Sequence, residues 1–249
     1  MDDENVTRLF DQASMKERIT AGELPEWAAA HYESFRETML DPEGFPCHFG
    51  VAAERDGSAL YTFCPSTADP EALDRLRDTL LAYVETFRGH PGRTPCVVFF
   101  APPEGELSEA EWSEEFWGVL QGLHDRDPEP WPAGIPTDPD DHQWEFCFGG
   151  EPIFPTARAP HYEQRRSRYT PHGLEITVQP REVFRGVTGD TVAGEHARAF
   201  IHDRLRSYDG VSPHADLGDW EDDSSHEWRQ YMLPEGEASE ENCPIEISA

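Results

Sequence analysis

Lysine is almost absent from this chain: of 20 basic residues in 249, only Lys16 is a lysine and the rest are arginines. Set against 50 Asp and Glu, they leave a formal net charge of −30. Acidity alone does not require giving up lysine, so the two features need a common explanation. Carboxylates bind water tightly and repel neighbouring molecules, whereas lysine adds a flexible apolar stem that concentrated salt drives towards aggregation. Together they point to a surface adapted to high salt. The same charge opposes binding to nucleic-acid phosphates or anionic membranes. Intrinsic disorder, the other reading of high charge, fails against seven Trp, seven Tyr and 14 Phe.

Other absences narrow the chemistry. No apolar run is long enough to span a bilayer, and the acidic N-terminus lacks a basic-then-apolar signal region, so a cytoplasmic location is expected. The cysteines (Cys47, Cys64, Cys96, Cys147, Cys243) are scattered and contain no Cys-x-x-Cys pair. They suit reduced thiols better than a disulfide framework or a zinc site. There is no His-Glu-x-x-His helix, Walker loop, Gly-x-Gly-x-x-Gly turn or Gly-x-Ser-x-Gly elbow.

What is present reads as α+β: a single domain with a mixed central sheet flanked by amphipathic helices. Residues 1–20 are expected to be a flexible segment, and residues 21–249 the domain, its acidic stretch 208–249 partly packed on the body. Leu24-Pro25 opens a helix with Ala28, Tyr32, Phe35 and Met39 on one face. Strands are expected near residues 49–53 and 60–64, around the turn signal Asp56-Gly57. A second helix over residues 70–87 carries Leu73, Leu76, Leu80, Val84 and Phe87, and residues 96–100 read as a buried strand. Ser108 to Glu111 is a capping box for a third helix striped by Trp112, Phe116, Leu120, Leu123 and His124. A Pro- and Asp-rich loop follows over residues 125–141. A hairpin of residues 144–148 and 152–154 turns on Gly149-Gly150, a strand covers 174–178, and a fourth helix runs from Asp190 to about Arg206. Trp220, Trp228 and Tyr231 suggest that part of the tail packs on the body.

Four arginines fall between Arg158 and Arg168, a basic island in a chain that otherwise avoids positive charge. Guanidinium forks match carboxylates and phosphates, so the island could hold an anion; pairing with the plentiful surface carboxylates is the alternative. Two aromatic stretches, Phe45 to Gly50 and Trp144 to Gly150, could wall a cofactor pocket or simply be core. In the second, strand alternation puts Trp144, Phe146 and Phe148 on one face, opposite Glu145 and Cys147. Cys47 and His48 look like a nucleophile and base, but as strand neighbours they would point apart, which favours a structural thiol. His142, with Asp138, Asp140 and Asp141, could hold a divalent ion without specificity, the basis of a hydrolase reading ranked well behind.

Several of these features recur in a fixed order. Phe-Pro-Cys-x-Phe-Gly at Phe45 to Gly50 precedes Leu-Gln-x-Leu-His-x-x-Asp at Leu120 to Asp127, then Trp131 and Asp138-Pro139. Phe-x-Phe-x-Gly-x-x-x-Phe follows at Phe146 to Phe154, then Arg229-Gln230-Tyr231 and Cys243-Pro244. In that order and spacing the chain resembles the YqcI/YcgG family. The resemblance implies a heme-dependent N-oxygenase that hydroxylates a guanidine or amine nitrogen, with b-type heme, dioxygen and an external electron donor. It also implies His161 as the iron ligand, although Tyr162 stands where the family pattern has proline, and His124 is the reserve. Arg165, Arg166 and Arg168 would then neutralise the heme propionates, Phe146 and Phe148 would wall the cofactor, and Glu145 or Glu151 would hold a cationic substrate. A non-catalytic heme or small-ligand binder is the alternative, and homodimerisation is left open.

Overall fold

Capping decides where several elements start. Asp11 accepts the Ser14 amide at 2.7 Å and opens α1 (Gln12–Thr20), directly after the short strand β1 (Phe10–Asp11). Pro25 stands just ahead of α2 (Glu26–Met39), its carbonyl taking the Ala28 and Ala29 amides. Ser108 and Glu111 close a full capping box on α5 (Glu109–His124). The remaining elements are α3 (His48–Asp56), β2 (Leu60–Cys64), α4 (Pro70–Gly89), β3 (Cys96–Phe100), β4 (Cys147–Phe148), β5 (Glu151–Arg158), β6 (Glu175–Pro180) and α6 (Val192–Asp209). This computed structural model describes residues 6–89, 94–184, 192–218 and 225–247. Among them the strands form one mixed sheet, ordered β1-β2-β3-β6-β5-β4, with β2 and β3 parallel and the other neighbours antiparallel. The α+β expectation holds.

Period-two alternation sorts the side chains to two faces. Cys96, Val98 and Phe100 of β3, with Ile176 and Val178 of β6, join Leu76, Leu80, Phe116 and Leu120 of α4 and α5 in the larger core. On the other face, Tyr61, Phe63, Val97 and Phe99 pack against Phe35 and Met39 of α2. The same alternation in β5 and β6 turns Thr156, Arg158, Glu175, Thr177 and Gln179 towards that second face, where α6 roofs them. A sheet with an apolar face and a half-polar face thus sets the position of the site.

Three local expectations are corrected. Residues 49–53 are helix, not strand: Cys47 caps α3, Ala52, Ala53, Glu54 and Arg55 favour helix, and Gly57 (φ 68°) ends it left-handed instead of turning a hairpin. Residues 6–20 carry β1 and α1 in place of a flexible segment, because Phe10 pairs with Tyr61 and Val6, Phe10 and Met15 are buried. The first hairpin strand is short, since a turn bonds the Trp144 amide to the Asp141 carbonyl. Its Gly149-Gly150 pivot is as expected, both φ positive (61° and 73°), as a type I′ turn requires. The Asp190 start of the fourth helix and Trp220 lie outside the described residues. No helix among the described residues is long and apolar enough to cross a membrane.

The tail is part of the body. Trp228 and Tyr231 are 1% and 0% exposed, and the Ala157 amide of β5 bonds to the Tyr231 carbonyl at 2.8 Å. The Tyr231 hydroxyl accepts the Phe146 amide (3.1 Å) and donates to Glu227 (2.6 Å). Tyr231→Phe leaves both of those buried groups short of a partner. Chemical denaturation should show a loss of about 1–3 kcal/mol with an unchanged m-value.

Candidate functional site

A cavity of about 320 Å³, within the usual range for small-molecule sites, opens on the half-polar face of β5 and β6. Phe35 and Met39 of α2, Phe45 and Phe49, and Ile201 and Leu205 of α6 supply apolar walls. The tail closes it with Leu217, Glu227, Gln230 and Leu233. The floor is polar. Thr156 and Thr177 face each other across β5 and β6, and Gln179 follows on the same face. Their side-chain donors and acceptors have no partner among the described residues, leaving that capacity for a ligand.

At one end Arg158 and Glu175 form a buried ion pair, Nη1 to Oε1 at 2.8 Å, set by their cross-strand register. Burial raises the Glu175 carboxyl, and the Arg158 charge opposes the rise. His31 lies beyond, its Nε2 4.0 Å from Glu175 Oε2 and 3.3 Å from Thr170 Oγ1. Desolvation first, then the charges of His172 and Arg158, lower the His31 imidazole to about 3. It is therefore neutral at physiological pH.

Cys47 and His48 both line the cavity, because they begin a helix and do not alternate along a strand. The Gly50 amide donates to Cys47 Sγ at 3.4 Å. Burial pushes the thiol up, while the amides of Gly50 and Phe49 and the Arg168 charge pull it back towards thiolate. Arg168 is itself buried, and its Nη atoms bond to the carbonyls of Ala157, Tyr231 and Gln230. Burial holds its guanidinium below the usual arginine range.

The sequence-predicted site residues divide. Arg165 and Arg168 line the cavity, but their donors are committed to carbonyls, those of Arg165 to Pro234, Ser212 and Gly236. Arg166 lies outside, paired with Glu43 at 2.9 Å and Asp41 at 3.5 Å. The pairing alternative thus describes Arg166 and, through Glu237 at 3.5 Å, Arg165 as well; carbonyl stapling describes Arg165 and Arg168. His161 is not in the cavity wall: it lies against the Tyr162 ring, 3.9 Å between centroids, and both ring nitrogens are buried without a partner. His124 ends α5 edge-on to Trp131, away from the cavity; Leu123 takes the inward place on the stripe. Phe146 and Phe148 are fully buried in the core on the opposite sheet face. Glu151 pairs with Arg88 at 2.7 Å, outside the cavity, and Glu145 stands behind the cavity-lining Arg181, 2.8 Å from its Nε. Among the described residues no three His, Cys, Asp or Glu cluster as a metal site, so His142 and its aspartates form none.

Sequence reasoning missed Glu175, Thr177, Gln179 and Glu227. The available signal was polar residues at every second position of a strand that alternates with Ile176 and Val178. Nothing in the sequence marks Glu227.

A model of the YqcI/YcgG family matches residues 35–246. Among curated proteins, "Uncharacterized protein YcgG" of Bacillus subtilis (strain 168) is 35% identical over 93% of this chain and 92% of its own length. "Uncharacterized protein YqcI" of the same organism is 33% identical over 89% of each. A Streptomyces lavendulae protein named "Putative N(omega)-hydroxy-L-arginine synthase DcsA" is 34% identical over 90% of this chain and 85% of its own. No solved structure matches.

His31 makes a pH prediction. Its folded value lies near 3 against 6.5 unfolded, so the unfolded state takes the proton first. Stability is unaffected above pH 6.5 and falls as pH drops towards 3, by up to about 1.4 kcal/mol per pH unit from this group. Urea titrations across that window should show a shallower acid slope for His31→Gln than for the parent.

Proposed function

The chain belongs to the YqcI/YcgG family, and from that membership and the cavity we propose that it hydroxylates a guanidine or amine nitrogen of a small molecule. The supporting observation is a cavity with apolar walls, an unused polar floor and a thiol at its edge, in a chain related to a protein named for Nω-hydroxyarginine synthesis. The reaction places one oxygen atom of dioxygen on nitrogen and releases the other as water. It consumes two electrons and two protons from an external donor. Protein side chains alone do not activate dioxygen, so a redox group must.

Heme would suit the chemistry of these residues, and the cavity of about 320 Å³ would have to widen to seat it. Phe35, Met39, Phe45, Ile201 and Leu205 would wall an apolar macrocycle, and Arg165 and Arg168 would offset the charge of its carboxylates. Cys47 would be a better-placed iron ligand than His161, because it lines the cavity and His161 does not. Burial holds the Cys47 proton on, the Gly50 amide at the start of α3 and the nearby Arg168 charge offset part of that, and iron would have to displace the proton on binding. Heme held there would supply dioxygen activation, which sulfur ligation would promote. The protein contributes an apolar enclosure that keeps water from the reacting nitrogen.

The test is spectroscopic before it is kinetic. Protein purified with heme supplied, in molar potassium chloride, should show a Soret band and the red-shifted ferrous-carbonyl band of thiolate ligation. Cys47→Ala should lose the red-shifted band, and His161→Ala and His48→Ala should keep it. Absence of heme uptake overturns the cofactor, and loss of the ferric spectrum in His161→Ala alone returns the iron to His161. Arginine or a simple amine, with reductant and dioxygen, should gain one oxygen atom by mass. A heme-loaded protein inert towards all of them is a binder and not an oxygenase.

A further inference from the structure

One cluster on the cavity wall is locally short of positive charge, in a lining that elsewhere holds more arginines than acids. Arg181 reaches between two carboxylates: its Nε donates to Glu145 at 2.8 Å and its guanidinium contacts Glu227. Both acids are buried, at 5% and 2% exposure. The other hydrogen bond to Glu227 comes from a neutral donor, the Tyr231 hydroxyl at 2.6 Å. Among the described residues no second cation lies within ion-pairing distance of either acid, so two negative charges share one positive charge. Removing a net charge from water is costly unless a counter-charge arrives.

The other acids of the cavity are already matched. Glu175 is paired one-to-one with Arg158. Asp209 accepts the Ser167 amide and hydroxyl, at 2.7 and 2.9 Å, on the side where Arg168 lies. Among the described residues, Glu227 is the acid that combines a place in the wall with membership of an anion-rich cluster. Gln179 and Thr177 lie on the strand that leads to Arg181, with unused hydrogen-bonding groups facing the same space.

We propose that Glu227 is the cation-recognition residue of the substrate site, taking the guanidinium or ammonium group of the substrate while Thr177 and Gln179 supply neutral hydrogen bonds. This assignment rests on the guanidine or amine hydroxylase reading and deepens it. The substrate cation restores the balance around Arg181, and the Tyr231 hydroxyl holds the Glu227 carboxylate in place for it. A neutral isostere of the same shape gains no such counter-charge, so the cluster selects on charge.

Equilibrium binding tests this without turnover. Arginine and its uncharged urea isostere, citrulline, are titrated calorimetrically into the full chain with heme supplied, and into Glu227→Gln, which keeps the Tyr231 hydrogen bond. The parent should prefer arginine by about tenfold or more; Glu227→Gln should lose that preference while citrulline binding is unchanged, and Glu227→Asp should recover part of it. A Glu227→Gln protein that still prefers arginine overturns the assignment. If that variant does not fold by near-UV circular dichroism, Glu145→Gln removes the same unit of charge from behind Arg181, and an unchanged arginine preference there also overturns it. A well-folded parent that binds no guanidine or amine overturns the hydroxylase reading, and this inference with it; a parent that binds them without preference overturns only the role of Glu227.

Discussion

The site depends on a buried guanidinium. Arg168 is buried, so its donors need protein oxygens, and they find the carbonyls of Ala157, Gln230 and Tyr231. Those bonds tie the tail to β5. Arg165 repeats the arrangement on Pro234, Ser212 and Gly236. Between them the two arginines hold the segment that closes the cavity and carries Glu227, Gln230 and Leu233 into its wall. Tyr231 continues the chain of dependence, joining the Phe146 amide of the hairpin to the Glu227 carboxylate.

This use of arginine gives the charge composition a second meaning. Carboxylates dominate the chain, with a formal net charge of −30, yet arginines gather around this cavity. Planar guanidinium groups can bond several carbonyls at once while buried; lysine, a compact and strongly hydrated ammonium, serves such stapling poorly. The near absence of lysine and the internal arginines are therefore compatible requirements. One concerns the hydrated surface and the other the packing of a tail.

Much of the architecture was legible because amphipathic periodicity reports burial directly. The stripes of α2, α4 and α5 are buried where the apolar residues recur, apart from the terminal His124, and Cys96 to Phe100 is the central strand its apolar run implies. The Gly149-Gly150 turn follows from backbone freedom at positive φ. What failed was short and ambiguous. Residues 49–53 contain Val and Ala and precede an Asp-Gly, a pattern that serves a strand and turn or a helix and its cap; the Cys47 cap decides for helix. Residues 6–20 look polar in isolation, and only the pairing of Phe10 with Tyr61 ties this segment to the sheet.

The site was legible in part. Phe45 to Gly50 and Trp144 to Gly150 both read as cofactor wall or core; the first lines the cavity, while Trp144, Phe146 and Phe148 of the second lie in the core. Sequence cannot separate these two cases, because an aromatic run signals burial without saying against what. By itself the sequence determined the acidic, lysine-poor surface, the class of fold and the faces of the helices, since each follows from composition or local period. Only the tertiary structure decided that Cys47 reaches the cavity and His161 does not, and that Arg165 and Arg168 hold a tail. The same is true of Glu227, which reaches the wall from 46 positions beyond Arg181, its partner in charge. Those placements depend on contacts between residues far apart in the chain, which no local pattern encodes.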